Sequence, residues 1–546
     1  MKKFSYAFGL LLILTFCVAP LLYLFSVPEA SNYAEVFKND NTVKAAVNTF
    51  LVSAAVGFCC LLMGLPLSWL LTRTDLKFKK YFRSWYCLPY AIPPFVGAIG
   101  WIILANPTSG VLNQWFGLGL NIYSFAGLVW VETSFLFTFV LLNALTLMDQ
   151  MDSSLEEAAR LSGASGLRVF IDIAFPLLKP AMISGFLLSF LATAASFGVP
   201  ALIGGPARIY LMTTQIYTFQ RMGTESGLQM SIAISVILAV ATLALLYTAQ
   251  VFASRNKNYS VGGKSSRPSN VPLGKWNIPL TTLLAFVLFL IFILPISGVL
   301  LSAFSAVQGS WGFSNLTFAN YYRVLFVTEE TPRAIGQSLL LGFSAAFICT
   351  IFSFFFNYFI QRTNWFGRKI AAVSVSLPFS TPGTVLALAF ILSFSHGFFG
   401  ADFFGIELSL YNTLFLIGLV YIIKYLSLSL KTVGDGYQQI HPSLEEAARI
   451  SGASWWTVMY TIYWPLLRTA LMASMFLVFM PVLSELTMTI LLTGPGLETI
   501  GSLIFQLQEY SDMAGGGAAV LSSLVVLFIL VLNFSLKTLS KGRYGL

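Results

Sequence analysis

Long apolar runs separated by short polar stretches dominate the chain. Runs of the roughly 20 residues that a bilayer-crossing helix needs fall near 4–27, 44–72, 84–105, 123–148, 177–203 and 229–253. They recur near 277–304, 335–361, 370–395, 411–430, 466–492 and 516–536. The pattern predicts an all-α integral membrane protein with about twelve transmembrane helices. Pro93, Pro94 and Pro382 fall inside runs, and kinks are expected there because proline removes a helical hydrogen bond and crowds the preceding turn. Composition agrees: 57% of the residues are hydrophobic and 10% charged, against about 25% charged in soluble domains, which excludes an ordinary soluble enzyme. The first run follows Lys2 and Lys3 as a secretory signal would, but its length and the internal Pro20 predict an uncleaved first helix.

The charge is a topology signal. The net charge of +9 would suggest nucleic acid in a soluble chain, yet here the bases cluster on one side of the membrane. With a cytoplasmic N-terminus the inside loops hold Arg73, Lys77, Lys79, Lys80, Arg83, Arg160, Arg168, Lys179, Arg255, Lys257, Lys264, Arg267, Lys275, Arg362, Arg368, Lys369, Lys431, Arg449, Arg468, Lys537, Lys541 and Arg543. Only Lys38, Lys44, Arg208, Arg221, Arg323 and Arg333 fall outside. The positive-inside rule therefore puts both termini in the cytoplasm. Cys17, Cys59, Cys60, Cys87 and Cys349 lie in apolar stretches without metal-ligand spacing and read as core residues.

The chain repeats itself. Ser154–Ser165 (SLEEAARLSGAS) returns as Ser443–Ser454 (SLEEAARISGAS), displaced by 289 residues. The same displacement relates Arg73-Thr74 to Arg362-Thr363, Pro93 to Pro382, Pro176 to Pro465 and Gly205-Pro206 to Gly494-Pro495. An even number of crossings separates the copies, so the six-helix repeats are parallel, an arrangement that places a transport pathway between halves. The expected domains are 1–253, a cytoplasmic linker at 254–276, and 277–546, with an additional outside segment in the second copy at Gln308–Phe318.

The repeated string lies in the longest inside loop of each half, 149–180 and 432–469. Ser154 with Glu157, and Ser443 with Glu446, have capping-box spacing, so a helix is expected to start at each serine. Gly163 and Gly452 are placed to end it in a left-handed turn. Capping does not explain why Ala158-Ala159 and Ala447-Ala448 also persist. Paired alanines make a low face that a partner groove can enclose, with Glu156, Arg160, Glu445 and Arg449 offered to its charges.

The pattern E-A-A-x-x-x-G-x9-I-x-x-P is filled by Glu157, Ala158, Ala159, Gly163, Ile173 and Pro176, and again by Glu446, Ala447, Ala448, Gly452, Ile462 and Pro465. It resembles the "EAA" coupling loop of binding-protein-dependent ABC importer permeases of the type I fold. Phe175 and Trp464 replace that family's leucine before the proline. The resemblance covers nearly the whole chain as two fused permease domains. It implies partners: two copies of an ABC ATPase docked on these loops, an extracytoplasmic substrate-binding protein and membrane lipid, with no nucleic acid. It also implies a bacterial inner-membrane location. Asn258–Ser265 ends in Gly-Lys-Ser but has Asn at the first glycine position of a phosphate loop, and Pro268 follows. No strand precedes to aim backbone amides at phosphates, so ATP hydrolysis is expected on the partner, with no cofactor in this chain.

Ionisable residues inside spans are candidates for the pathway. Glu132 lies in the fourth span and Glu485 in the eleventh, where the repeat places Ser196 opposite it. Glu485 has two readings, a contact for cargo or an interhelical hydrogen bond. Lys424 reads as snorkelling to the interface, and His396 and His441 as structural. Ser196–Tyr217 and Ser484–Gly501 are most similar to ferric-iron permeases, with thiamine, phosphonate and polyamine permeases as alternatives. An ion-coupled secondary transporter is the alternative of a different class.

Overall fold

The computed structural model describes residues 9–151, 154–255, 271–364, 367–395, 410–509 and 516–539. The Gly-Lys-Ser string, His396, most of the linker, and the side chains of Ser154 and Arg160 lie outside the described set. The first half comprises α1 (Gly9–Ser26), α2 (Asp40–Arg73), the pair α3 (Lys79–Tyr90) and α4 (Pro94–Ala105), α5 (Phe125–Gln150), α6 (Ser154–Leu161), α7 (Ile171–Ala194), α8 (Met212–Arg221) and α9 (Glu225–Arg255). The second repeats the order: α10 (Gly274–Phe304), α11 (Glu330–Arg362), the pair α12 (Arg368–Ser380) and α13 (Gly383–Ser395), α14 (Leu414–Gln438), α15 (Ser443–Ile450), α16 (Trp455–Leu483), α17 (Ile500–Glu509) and α18 (Gly517–Leu539). Among the described residues ten helices are long and apolar enough to cross a membrane, or twelve when each pair counts as one span.

The two pairs are the expected kinks, and they are sharper than kinks. The chain turns by 96° between α3 and α4 and by 110° between α12 and α13. In each case an X-Pro step lies at the break: Pro93 is extended before Pro94 (φ −60°, ψ 129°), and Thr381 before Pro382 (φ −81°, ψ 137°). Proline disfavours the helical conformation in the residue before it, so each run stops midway and restarts in a new direction.

Two other expected spans also end early. The 177–203 run stops at Ala194 and resumes as a π-turn over Pro200–Gly204. The 466–492 run stops at Leu483 and resumes over Thr489–Leu492. Apolarity alone does not reveal these breaks. Glu485 and Ser196 therefore sit in the breaks and not within spans, a correction to the sequence reading.

Each half has a three-helix core, α2–α5–α7 and α11–α14–α16. The first helix of each half leaves its own core and packs on the other. α1 lies against α12 and α13, and α10 against α4, with α18 on its other side. The α4–α10 crossing is close, since a Cβ on Gly100 would fall 2.2 Å from the Pro295 carbonyl oxygen; membrane helices associate through such small-residue contacts. The crossing is tied at both ends. Tyr86 donates to the Leu284 carbonyl at 2.6 Å, and in the Gln308–Phe318 segment the Trp311 indole donates to the Ser109 carbonyl at 2.6 Å.

Gly100→Ala is expected to force α10 off α4 at about 1–3 kcal/mol, the usual range for overpacking. Thermal unfolding of the purified protein should show it as a lowered midpoint. Gly336→Ala, where an added Cβ meets nothing within 4 Å, serves as the unchanged control, and equal midpoints would refute the close crossing.

Candidate functional site

α6 and α15 carry the duplicated string, and both end as expected. Gly163 (φ 86°) and Gly452 (φ 82°) adopt the left-handed conformation that glycine takes without Cβ strain. The Ala164 amide reaches back to the Ala159 carbonyl at 3.0 Å, and Ala453 to Ala448 at 2.9 Å, the closing bond of a Schellman cap. The beginning differs from expectation. In α15 the residue before the helix is Pro442, and Ser443 is already helical with its hydroxyl on His441 Nδ1 at 2.8 Å. Ser443 thus occupies the first helical position and forms no capping box with Glu446. His441 has a local structural bond, as anticipated.

Exposure divides the motif into two faces. Glu157, Ala158, Glu446 and Ala447 are exposed, and Ala159 and Ala448 half-buried. At the tips Leu161 is 90% and Ile450 88% exposed. These two open apolar side chains stand at equivalent points of the two helices. The opposite face is turned inward, which corrects the expectation that its acids await a partner's charges. Glu156 is buried and pairs with Arg73 (Nε–Oε1 3.1 Å). Glu445 accepts from the hydroxyls of Tyr358 and Tyr463, each at 2.7 Å, and from Arg449 Nε at 3.0 Å. Burial opposes the charge on Glu445, but the donors from Tyr358, Tyr463 and Arg449 outweigh it and hold the carboxyl below the usual glutamate range.

Sequence reasoning took Arg73 and Arg362 as inside charges and as one point of the repeat; in the structure both brace the ends of spans, and Arg73 also holds α6 through Glu156. Arg73 Nη2 donates to the carbonyls of Met148 (3.1 Å) and Met151 (3.4 Å) at the end of α5. Arg362 Nη2 donates to those of Tyr437 (3.1 Å) and Ile440 at the end of α14, and its guanidinium lies 5.9 Å over the Tyr463 ring. Each arginine thus satisfies the orphan carbonyls of one span while ending another. The signal was present in the repeat itself, since Arg-Thr recurs at the common displacement.

Between the halves lies a cavity of about 240 Å³. The first half lines it with Tyr90–Phe95 and Ser196–Val199, the second with Tyr425, Pro481 and Ser484–Thr487. Three of the four helix breaks therefore line it, and the fourth lies beside it, since a Cβ on Gly383 at the start of α13 would fall 2.9 Å from Thr487. The structure brings Ser196 and Glu485 to the same cavity, as the repeat suggested. Glu132 is fully buried in α5 and does not line it. The Glu485 carboxylate accepts from the amides of Met488 and Thr489, each at 3.1 Å, and from the Thr489 hydroxyl at 2.8 Å. It thereby starts the short helix after the break. Lys424 does not snorkel; its ammonium donates to the Thr381 carbonyl at the α12–α13 break. Among the described residues no three His, Cys, Asp or Glu side chains converge.

Comparison with known proteins returns the same two-part organisation. The ferric transport system permease FbpB of Actinobacillus pleuropneumoniae is 23% identical over 505 residues, covering 90% of this chain and 70% of that one. The Fe(3+)-transport system permease FbpB 2 of Haemophilus influenzae is 24% identical over 498 residues, 90% of this chain and 88% of its own. The molybdate/tungstate permease WtpB of Methanocaldococcus jannaschii is 30% identical over 263 residues, 46% of this chain but 98% of its own, so one half of this chain corresponds to a whole relative. The family described as "Binding-protein-dependent transport system inner membrane component" matches twice, over residues 62–257 and 350–543. With one copy of that pattern in each half, the chain belongs to the binding-protein-dependent inner-membrane transport components, in a fused two-domain form.

Proposed function

We propose that this chain is the transmembrane permease of an ATP-driven ABC importer that passes ferric iron from an extracytoplasmic binding protein into a bacterial cytoplasm. Two copies of a separate ATPase dock on α6 and α15, and the chain itself holds no ATP site or cofactor. The carrying observation is the pair of exposed helices, with Leu161 and Ile450 open at equivalent points and their inner faces held to the cores, α6 by the Glu156–Arg73 pair and α15 by Glu445 on Tyr358 and Tyr463. Force applied to α6 or α15 passes through these contacts into the cores of both halves. In this reading Glu157, Ala158, Ala159, Gly163, Glu446, Ala447, Ala448 and Gly452 form the ATPase-coupling surface. Both termini and the 254–276 linker face the cytoplasm, joining permease domains 1–253 and 277–546, and the basic surface meets lipid and no nucleic acid. Iron is favoured by the ferric transport permeases that match 90% of this chain. A hard cation prefers oxygen ligands, and the passage offers the Glu485 carboxylate.

Uptake of radiolabelled ferric ion by the reconstituted complex tests the cargo, with thiamine, phosphonate, a polyamine and molybdate as competitors. Inhibition by vanadate and not by an uncoupler is expected, and the reverse would make the chain an ion-coupled carrier. Gly163→Asp and Gly452→Asp should each reduce ATPase capture and uptake with normal membrane insertion, because any Cβ is strained at φ 86° and 82° and the substitution puts a negative charge on the exposed end of the helix. Wild-type capture and rate in both and in the double variant would refute the docking surface.

Arg73→Ala should be as damaging without touching the exposed face. It removes the arginine from a buried ion pair, a loss of about 3–5 kcal/mol for such pairs, and ATPase capture is the readout. Glu445 supplies a pH signature. Its depressed folded pKa gives stabilisation that is complete above the unfolded value and disappears as pH falls through the lowered one. Docking at α15 should therefore be level from pH 8 to about 5, the usual carboxylate range lying below, and weaken only in acid. Glu445→Gln should abolish that acid step.

A further inference from the structure

Displacement by 289 residues sets Glu132 on Tyr421, Ser196 on Glu485 and Pro200 on Thr489. In the second half the first two positions of this set are joined through the third. In the second, Tyr421 shares a hydrogen bond with the Thr489 hydroxyl, which donates to Glu485 Oε2 at 2.8 Å. In the first, the Ser196 hydroxyl approaches Glu132. The acid has changed sides of one contact. It stands on the span α5 in the first half and in the break after α16 in the second, and each half holds one.

Helix capping explains only one of the two. Glu485 takes the amides of Met488 and Thr489, whereas Pro200 has no amide to offer, and neither oxygen of the fully buried Glu132 completes a hydrogen bond. An unsatisfied carboxyl within a membrane span is expensive to keep, and the tyrosine at its counterpart shows that the fold accepts another residue there. The feature common to both halves is one buried acid in this set, at or behind the segment that lines the cavity. Glu485 reaches the cavity itself, and Glu132 sits behind Ser196, which lines it.

We propose that Glu132 and Glu485 are two copies of one cation site, a single carboxylate presented by each half to a hard cation crossing between them, with the delivering element interchangeable. Glu485 meets the cation directly, and Glu132 meets it when the Ser196 segment withdraws. The proposal rests on the cation-import reading above.

Relocation of the acid tests it in the complete transporter with its ATPase and binding protein. Ferric ion uptake is normalised to permease recovered bound to ATPase. Glu132→Gln and Glu485→Gln should each lower uptake about tenfold or more. Adding Ser196→Glu to Glu132→Gln should recover uptake to within about threefold of wild type, as should Tyr421→Glu combined with Glu485→Ser. Uptake unchanged in Glu132→Gln, or relocated pairs no better than the single removals at equal recovery, would overturn the site. Where the Tyr421→Glu pair does not insert, the smaller first-half pair decides alone. Wild-type transporter that moves no ferric ion would instead overturn the iron reading. The variants are then assayed with the cargo it does carry, and an anionic cargo, or a cationic one indifferent to Glu132→Gln, would overturn the site as well.

Discussion

A lipid bilayer offers no water to a peptide group, so every interruption of a helix must find its partners within the protein. That constraint organises the centre of this molecule. The helices that surround the cavity are broken, and their freed groups are answered by side chains: Thr381 O by Lys424, the Met488 and Thr489 amides by Glu485, and Ser196 O by the Thr213 hydroxyl at 2.6 Å. The breaks are what make a polar passage, since irregular backbone at membrane depth survives only where it is buried in protein or lines a cavity. Polar residues in the spans thus hold the broken backbone in place as much as they wait for cargo.

The same principle operates at the duplicated helices. Arg73 and Arg362 collect the last carbonyls of α5 and α14, Arg73 also reaches α6 through Glu156, and α15 is held to α11 and α16 by Glu445 on Tyr358 and Tyr463. The inner supports then diverge. The first half uses a buried ion pair, Arg73 with Glu156. The second surrounds Glu445 with tyrosines and stacks Trp455 against Phe359 at 6.3 Å. A buried ion pair is costly to separate, while aromatic packing yields by sliding, so the two ends of a symmetric machine differ in stiffness.

Much of this was legible in the residues. Apolar run length gave the spans, X-Pro steps gave the bends of α3–α4 and α12–α13, and the 289-residue displacement gave two parallel halves. Gly163 and Gly452 announced their left-handed turns. What escaped was set by tertiary partners. Nothing local distinguishes Glu156, which is buried against Arg73, from the exposed Glu157 beside it. The stops at Ala194 and Leu483 occur inside runs that stay apolar enough on average to read as one span, because a capping carboxylate such as Glu485 acts on backbone amides and interrupts the apolar pattern at few positions. Lys424 looked long enough to reach the interface, and only the α12–α13 break supplies the carbonyl that holds it.

The exchange of first helices has a consequence in time. α1 is made before the helices it packs on, α12 and α13, which begin some 340 residues beyond its end. At elongation rates of about 5–20 residues per second that interval is on the order of 20–70 s. During it α1 has only lipid and the partial first half for company. The early chain must therefore be a tolerated membrane resident in its own right, and final closure belongs to the last-made half, which α1 reaches only by lateral movement in the bilayer.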